Sequence, residues 1–203
     1  MTARLPPAPE FGAPLPLRAA PEVLDFLALR RSTSAVTLGE PAPPPDALEE
    51  LLRLAARAPD HGKLSPWRFI ILEGEAKSRF AARLEALAEG RGDATAAAKL
   101  AKLRIPPLAV VVVSSPKPAQ IPEWEQLLSA GAVCANLLNA VLALGYGANW
   151  ITDWYSYDAE AVAILGLGER ERVAAFMLIG TPREAPLERE RPDPAALTTR
   201  WTG

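Results

Sequence analysis

A mixed fold of helices packed on a sheet is the class this sequence predicts, and three observations predict it. Segments with apolar residues at helical spacing alternate with short runs rich in aromatic and β-branched residues. One run, residues 108–113, is continuously apolar, as a strand covered on both faces must be. The composition is globular, with 49% hydrophobic and 23% charged residues in a chain of 203, which suits a single domain. Taken alone, the alternation points to a doubly wound parallel sheet.

The elements follow in order. Pro6, Pro7, Pro9, Pro14 and Pro16 forbid regular structure over residues 1–20, an N-terminal arm, and leave 21–203 as one domain ending in a second, charge-rich arm. Pro21 suits the first turn of a helix whose inner face is Val23, Leu24, Leu27 and Phe26. That helix ends in Arg30-Arg31-Ser32. Asp46 with Glu49 resembles a capping box opening a second helix, with Leu48, Leu51, Leu52, Ala55 and Ala56 at helical spacing. Residues 67–73 read as a strand, 75–89 and 94–104 as helices, and 108–113 as the buried strand. A long helix over 123–144, apolar nearly all round, is closed by Gly145 and Gly147, and belongs in a core or a subunit interface. Strands at 149–153 and 173–179 flank a short helix at 158–165.

Scarcity excludes several chemistries. One cysteine, Cys134, and one histidine, His61, rule out an intrachain disulfide, a zinc cage and a multi-histidine metal site. The net charge of −2 does not advertise nucleic acid. Prolines interrupt any secretory signal, and Asn136 and Asn139 interrupt the longest apolar stretch, so a cytoplasmic protein without a membrane span is expected. No G-x-G continues into a dinucleotide fingerprint, Gly62-Lys63 lacks the rest of a P-loop, and no serine sits in a nucleophile elbow. An enzyme so poor in catalytic side chains would draw its chemistry from a cofactor.

Three segments hold the remaining candidates. Arg30-Arg31-Ser32 offers paired guanidinium donors and a hydroxyl to an anion, though by itself a basic last turn also complements a helix dipole. Residues 57–67, Arg-Ala-Pro-Asp-His-Gly-Lys-Leu-Ser-Pro-Trp, are the densest polar loop, where His61 and Lys63 either face a polar ring edge or merely solvate a turn. Gly145-Tyr-Gly-Ala-Asn-Trp-Ile-Thr-Asp153 joins a glycine turn to a strand whose Trp150 and Thr152 either meet a planar ligand or pack and solvate.

In this order, R-R-S, A-P-D-H-G-K-L-S-P-W, a long helix into G-Y-G-A-N-W, and L-I-G-T-P, the sequence resembles the nitroreductase family of FMN flavoproteins, in its compact A-P-D-H branch, over residues 21–182. The resemblance implies an α+β fold with a central, mostly antiparallel sheet flanked by helices, in an intertwined homodimer with FMN at the subunit interface. That replaces the parallel sheet expected from element order. It assigns Arg30, Arg31 and Ser32 to the FMN phosphate and ribityl chain, Arg57, His61 and Lys63 to the flavin from the other subunit, and Trp150, Ile151 and Thr152 to the turn beside it. Compact members can carry arginine where Ile151 stands, and Arg191 or its neighbour Arg189 is placed to supply that contact. The implied activity is NAD(P)H oxidation coupled to reduction of a nitro compound, quinone or other small acceptor, ping-pong, with the chemistry at FMN N5 and no catalytic side chain. A non-catalytic flavin- or nucleotide-binding dimer is the alternative.

Overall fold

A computed structural model describes residues 5–203 of the chain; the first four residues of the expected arm lie outside the described residues. Residues 5–20 contain no helix or strand. The ordered elements are α1 (Pro21–Leu29), β1 (Leu38–Gly39), α2 (Pro45–Ala55), β2 (Trp67–Glu73), α3 (Gly74–Gly90), α4 (Ala94–Lys99), α5 (Ala101–Arg104), β3 (Leu108–Ser114), α6 (Glu123–Ala143), β4 (Gly147–Ile151), α7 (Ala159–Ile164) and β5 (Arg172–Pro182).

The sheet is α+β in character, and element order misleads about its pairing. β5 is central, with β3 and then β2 on one side and with β4 and the short β1 on the other. Every pair is antiparallel: Val111 faces Phe176, Ile70 faces Val111, Trp150 faces Met177 and Gly39 faces Thr181. Helix–strand alternation therefore does not produce a doubly wound parallel sheet here, because the strands that become neighbours run in opposite directions: β1, β3 and β4 point one way, and β2 and β5 the other.

Alternation along β3 and β5 divides the core into two layers. Ala109, Val111, Val113, Phe176 and Leu178 point toward α3, α5 and α7, meeting Phe80, Leu84, Leu103 and Ala161. Leu108, Val110, Val112, Met177 and Ile179 point toward α2 and α6, meeting Leu51, Ala55, Val133, Leu137 and Val141. Helices thus cover both faces, and all seven residues of β3 are buried, as its apolar run requires.

Several boundaries differ from expectation for local reasons. The Asp46/Glu49 capping box does not form: α2 starts at Pro45, whose fixed φ and missing N–H suit the first turn, and Pro44 at the cap offers no side-chain bond. The helix expected over 94–104 breaks into α4 and α5 at Leu100, which is turned into the core. The Lys77 ammonium, itself buried, donates to the carbonyls of Leu103 and Arg104 at 3.0 and 2.9 Å and closes the end of α5. β4 lies two residues earlier than expected, because Asp153 is recruited to cap the following turn in a reciprocal pair with Ser156. β1 was not anticipated. The expected inner face of α1 is not covered: no residue of α1 is buried, and Leu24 is 70% exposed.

Candidate functional site

The end of α1 leads into the first group of candidates. The Arg30 amide donates to the Phe26 carbonyl at 2.8 Å, and the chain then extends along β4. Thr33 N–H donates to the Ala148 carbonyl at 2.9 Å, and the Asn149 side-chain amide donates back to the Thr33 carbonyl at 2.8 Å. These two bonds lock residues 30–33 to the strand that carries Trp150 and Ile151.

The segment after β5 closes the same corner. Arg183 N–H donates to the Thr37 carbonyl at 2.9 Å, and Arg31 Nε donates to the Leu187 carbonyl at 2.8 Å. Glu188 lies 3.9 Å from Arg31 and accepts from Arg191 Nε at 3.0 Å. Arg30 is therefore held below its usual range, first by burial and then by the like charges of Arg191, Arg31 and Arg189, which Glu188 only partly opposes. Arg30 Nη2 reaches Ser32 Oγ at 3.3 Å, whereas its Nε is buried and has no partner. Beside this cluster is a cavity of about 330 Å³ lined by Arg31, Ser32, Ser34, Thr37 and residues 184–187. Four guanidiniums around one carboxylate, one of them with an orphaned buried donor, are a donor set of the kind that suits a multiply charged oxyanion such as phosphate.

At the end of β4 the side chains are partly committed. The Trp150 indole N–H donates to the Ala174 carbonyl at 3.3 Å, and Ile151 packs on the α3-side core. Thr152 is exposed and its hydroxyl accepts from Tyr157 O–H at 2.6 Å. The glycines before the strand have distinct duties. Gly145 adopts φ +87° to end α6, and a Cβ at Gly147 would lie 2.5 Å from Leu38 and 2.9 Å from Thr33 Oγ1.

The third group sits elsewhere on the chain. Arg57, His61 and Lys63 are all exposed on the loop between α2 and β2. His61 Nδ1 is 2.7 Å from Glu125 Oε2 in the first turn of α6. Gly62, Lys63 and Ser65 have φ of +79°, +55° and +45°, left-handed backbone on either side of a right-handed Leu64, in a loop tied by Asp60, which accepts from Ser65 N–H at 2.7 Å. Such strain in non-glycine residues persists where surroundings over-determine it and clusters at binding loops. Among the described residues, no hydrogen bond or ion pair joins this loop to the arginine corner. Arg30, Arg31, Ser32 and Arg191 thus come together with the β4 end, while Arg57, His61 and Lys63 do not join them within one chain.

Sequence reasoning missed Glu188, Glu125 and the cavity residues Ser34 and Thr37. Residues 183–191 look like a solvated charge run, and nothing local links them to residue 31, which is 156 positions from Leu187. Glu125 reads as an ordinary acidic first-turn residue.

Comparison with known proteins gives the family. The model of the nitroreductase family matches residues 27–181. The chain belongs to the nitroreductase family. A relative from Escherichia coli strain K12, named "Putative NAD(P)H nitroreductase YdjA", is 35% identical over 182 residues, covering 88% of this chain and 98% of its own. A similarly named Haemophilus influenzae protein is also 35% identical, over 80% of this chain and 90% of its own. Among solved structures, a nitroreductase-like family protein from Bacillus cereus superposes with a TM-score of 0.80 at 22% identity, over 94% of this chain and all of its own (100%). A Bacteroides fragilis nitroreductase with bound FMN gives 0.67 at 22% identity, over 89% and 99%. The nitroreductase match takes in Arg30, His61 and Trp150 but stops short of Arg189 and Arg191, so half of the arginine corner lies beyond it.

Proposed function

We propose that this chain is an FMN-dependent oxidoreductase that takes two electrons from NADH or NADPH and delivers them to a small acceptor such as a nitro compound or quinone, in ping-pong order. The observation that carries the reading is the buried, unpartnered Nε of Arg30 within four guanidiniums, a donor set complementary to a phosphate monoester. Bound there, FMN would supply the hydride chemistry at N5, which is why the chain needs no nucleophile and no metal ligands.

The residues divide the remaining work. Arg30, Arg31, Ser32 and Arg191, with Arg189 beside them, hold the phosphate end and neutralise its charge. Trp150, Ile151 and Thr152 border the ring, and the Tyr157 phenol, by donating to Thr152, leaves the threonine proton free for a ligand. Arg57, His61 and Lys63 contact the ring from a second copy of the chain, which explains why they stand apart from the corner in one copy. The exposed apolar residues of α1 and of the start of α6 are the surfaces for that copy.

The experiment is spectroscopic. Purified protein mixed with FMN should acquire a bound-flavin spectrum that bleaches anaerobically with NADH or NADPH and returns on adding a nitroaromatic or quinone. Absence of FMN binding would defeat the proposal. Bound FMN that no acceptor reoxidises would instead indicate a non-catalytic flavin-binding dimer.

A further inference from the structure

His61 is the only histidine in the chain, and its loop is held by one face of α6. Glu125 and Ser129, four residues apart and therefore one turn above the other, both reach it. Ser129 Oγ donates to the Pro59 carbonyl at 2.5 Å, and Glu125 Oε2 lies 2.7 Å from His61 Nδ1. Ile121, just before the helix, packs under Gly62, where even a Cβ would come within 3.3 Å. Asp60 and the left-handed Gly62, Lys63 and Ser65 complete a loop that is tightly specified although its tip is exposed.

A carboxylate can only accept, so a neutral His61 in this pair must carry its proton on Nδ1. Nε2 is then the nitrogen turned away from Glu125, on a side chain that is 65% exposed. We propose that Glu125 is the positioning residue of His61: it fixes the tautomer and orientation of the imidazole, so that Nε2 is the atom offered to the flavin of the neighbouring copy. This rests on the flavin reading above and adds to it a residue with no flavin contact of its own. An acidic residue in a first turn also favours a helix through the dipole, but that role would be indifferent to which imidazole nitrogen is protonated.

Because there is a single imidazole, histidine-selective 15N NMR of the full chain without flavin reports the tautomer directly. Wild type should show the Nδ1–H form, and Glu125→Ala should revert to the mixture dominated by Nε2–H that free imidazole side chains adopt. Glu125→Asp, which keeps the carboxylate, should restore the Nδ1–H form in part. The flavin-facing role is read from FMN binding and midpoint potential. Glu125→Ala and His61→Gln should each weaken FMN binding about tenfold, the worth of one hydrogen bond accepted by Nε2 from a ring N–H, and the double variant should be no worse than either alone. A tenfold change in preference between oxidised and reduced cofactor moves the potential by about 30 mV. An unchanged tautomer in Glu125→Ala, or additive losses in the double variant, overturns the inference. A wild type that binds no FMN overturns the flavin reading and the flavin-facing role together, and the flavin-free tautomer measurement distinguishes that failure from a failure of the Glu125–His61 pair.

Discussion

Glu171 shows how much one side chain can tie together. It stands just before β5 and accepts from Arg68 Nε and Nη2 on β2, both at 2.7 Å, and from Gly168 N–H at 3.0 Å. Those bonds, with Arg68 first, hold its carboxyl down at about 2 from an ordinary 4.5. The unfolded chain therefore binds more protons than the folded one between these values, and stability rises with pH across that window. The contribution is fully present above about pH 4.5 and is lost as pH falls toward 2. Denaturant unfolding over a pH series should show this acid limb, and Glu171→Gln should flatten it; a variant with the wild-type limb would clear the pair of responsibility. At this scale the arginine corner was half legible. Arg30-Arg31-Ser32 stands out because a helix must end there, and the resemblance already offered Arg191 or Arg189 as a further contact, whereas Glu188 becomes a neighbour only through the path of the chain after β5. His61 was legible as a candidate, but its partner Glu125 was not, since a first-turn acid has a sufficient local reason to exist.

Among elements, the closest packing is where β1, β4 and β5 meet. Gly147 and Gly180 face each other across β4 and β5. A Cβ at Gly180 would lie 2.7 Å from the Gly39 carbonyl oxygen and 2.8 Å from Pro107, and one of these obstacles is backbone that cannot rotate away. Gly180→Ala should therefore destabilise the fold by about 2 kcal/mol, as overpacking does. It should also loosen β1 and the Thr37–Arg183 contact that closes the cavity. Chemical denaturation measures the first effect, and amide exchange at Arg183 the second; wild-type stability would mean that the strands separate at little cost. Long periodic elements such as α3 and α6 were read to within a residue or two, because side-chain spacing alone specifies them. β1 was not, because two residues carry no period and exist as a strand only because β5 lies alongside.

The whole molecule leaves apolar surface uncovered. Leu24 and Leu29 on α1, and Trp124, Leu127 and Leu128 on α6, are exposed in one copy, Leu128 at 62%. α6 is long and apolar enough to cross a membrane, yet Val133, Cys134, Leu137 and Val141 are packed into the α2-side core. Its remaining apolar face suits a second copy better than lipid, since the same helix carries Glu125 beside the loop assigned to the shared site. Leu128→Glu should convert the expected dimer to a monomer in light scattering and abolish FMN binding with it. A monomer that still binds FMN would show that one chain completes the site.

The sequence by itself determined the family, the secondary structure of the long elements and the identity of the polar segments, because these depend on residue type and local spacing. It also excluded an intrachain disulfide, a zinc cage and a multi-histidine metal site through the scarcity of cysteine and histidine. The resemblance carried by its motifs also implied the mostly antiparallel sheet and a contact from Arg191 or Arg189; only the tertiary structure decided the strand order and register around β5, the place of Glu188 among the arginines, and the hold of α6 on His61. These are contacts between residues far apart in sequence, and nothing in a local pattern specifies which distant charges or strands will meet once the core has closed.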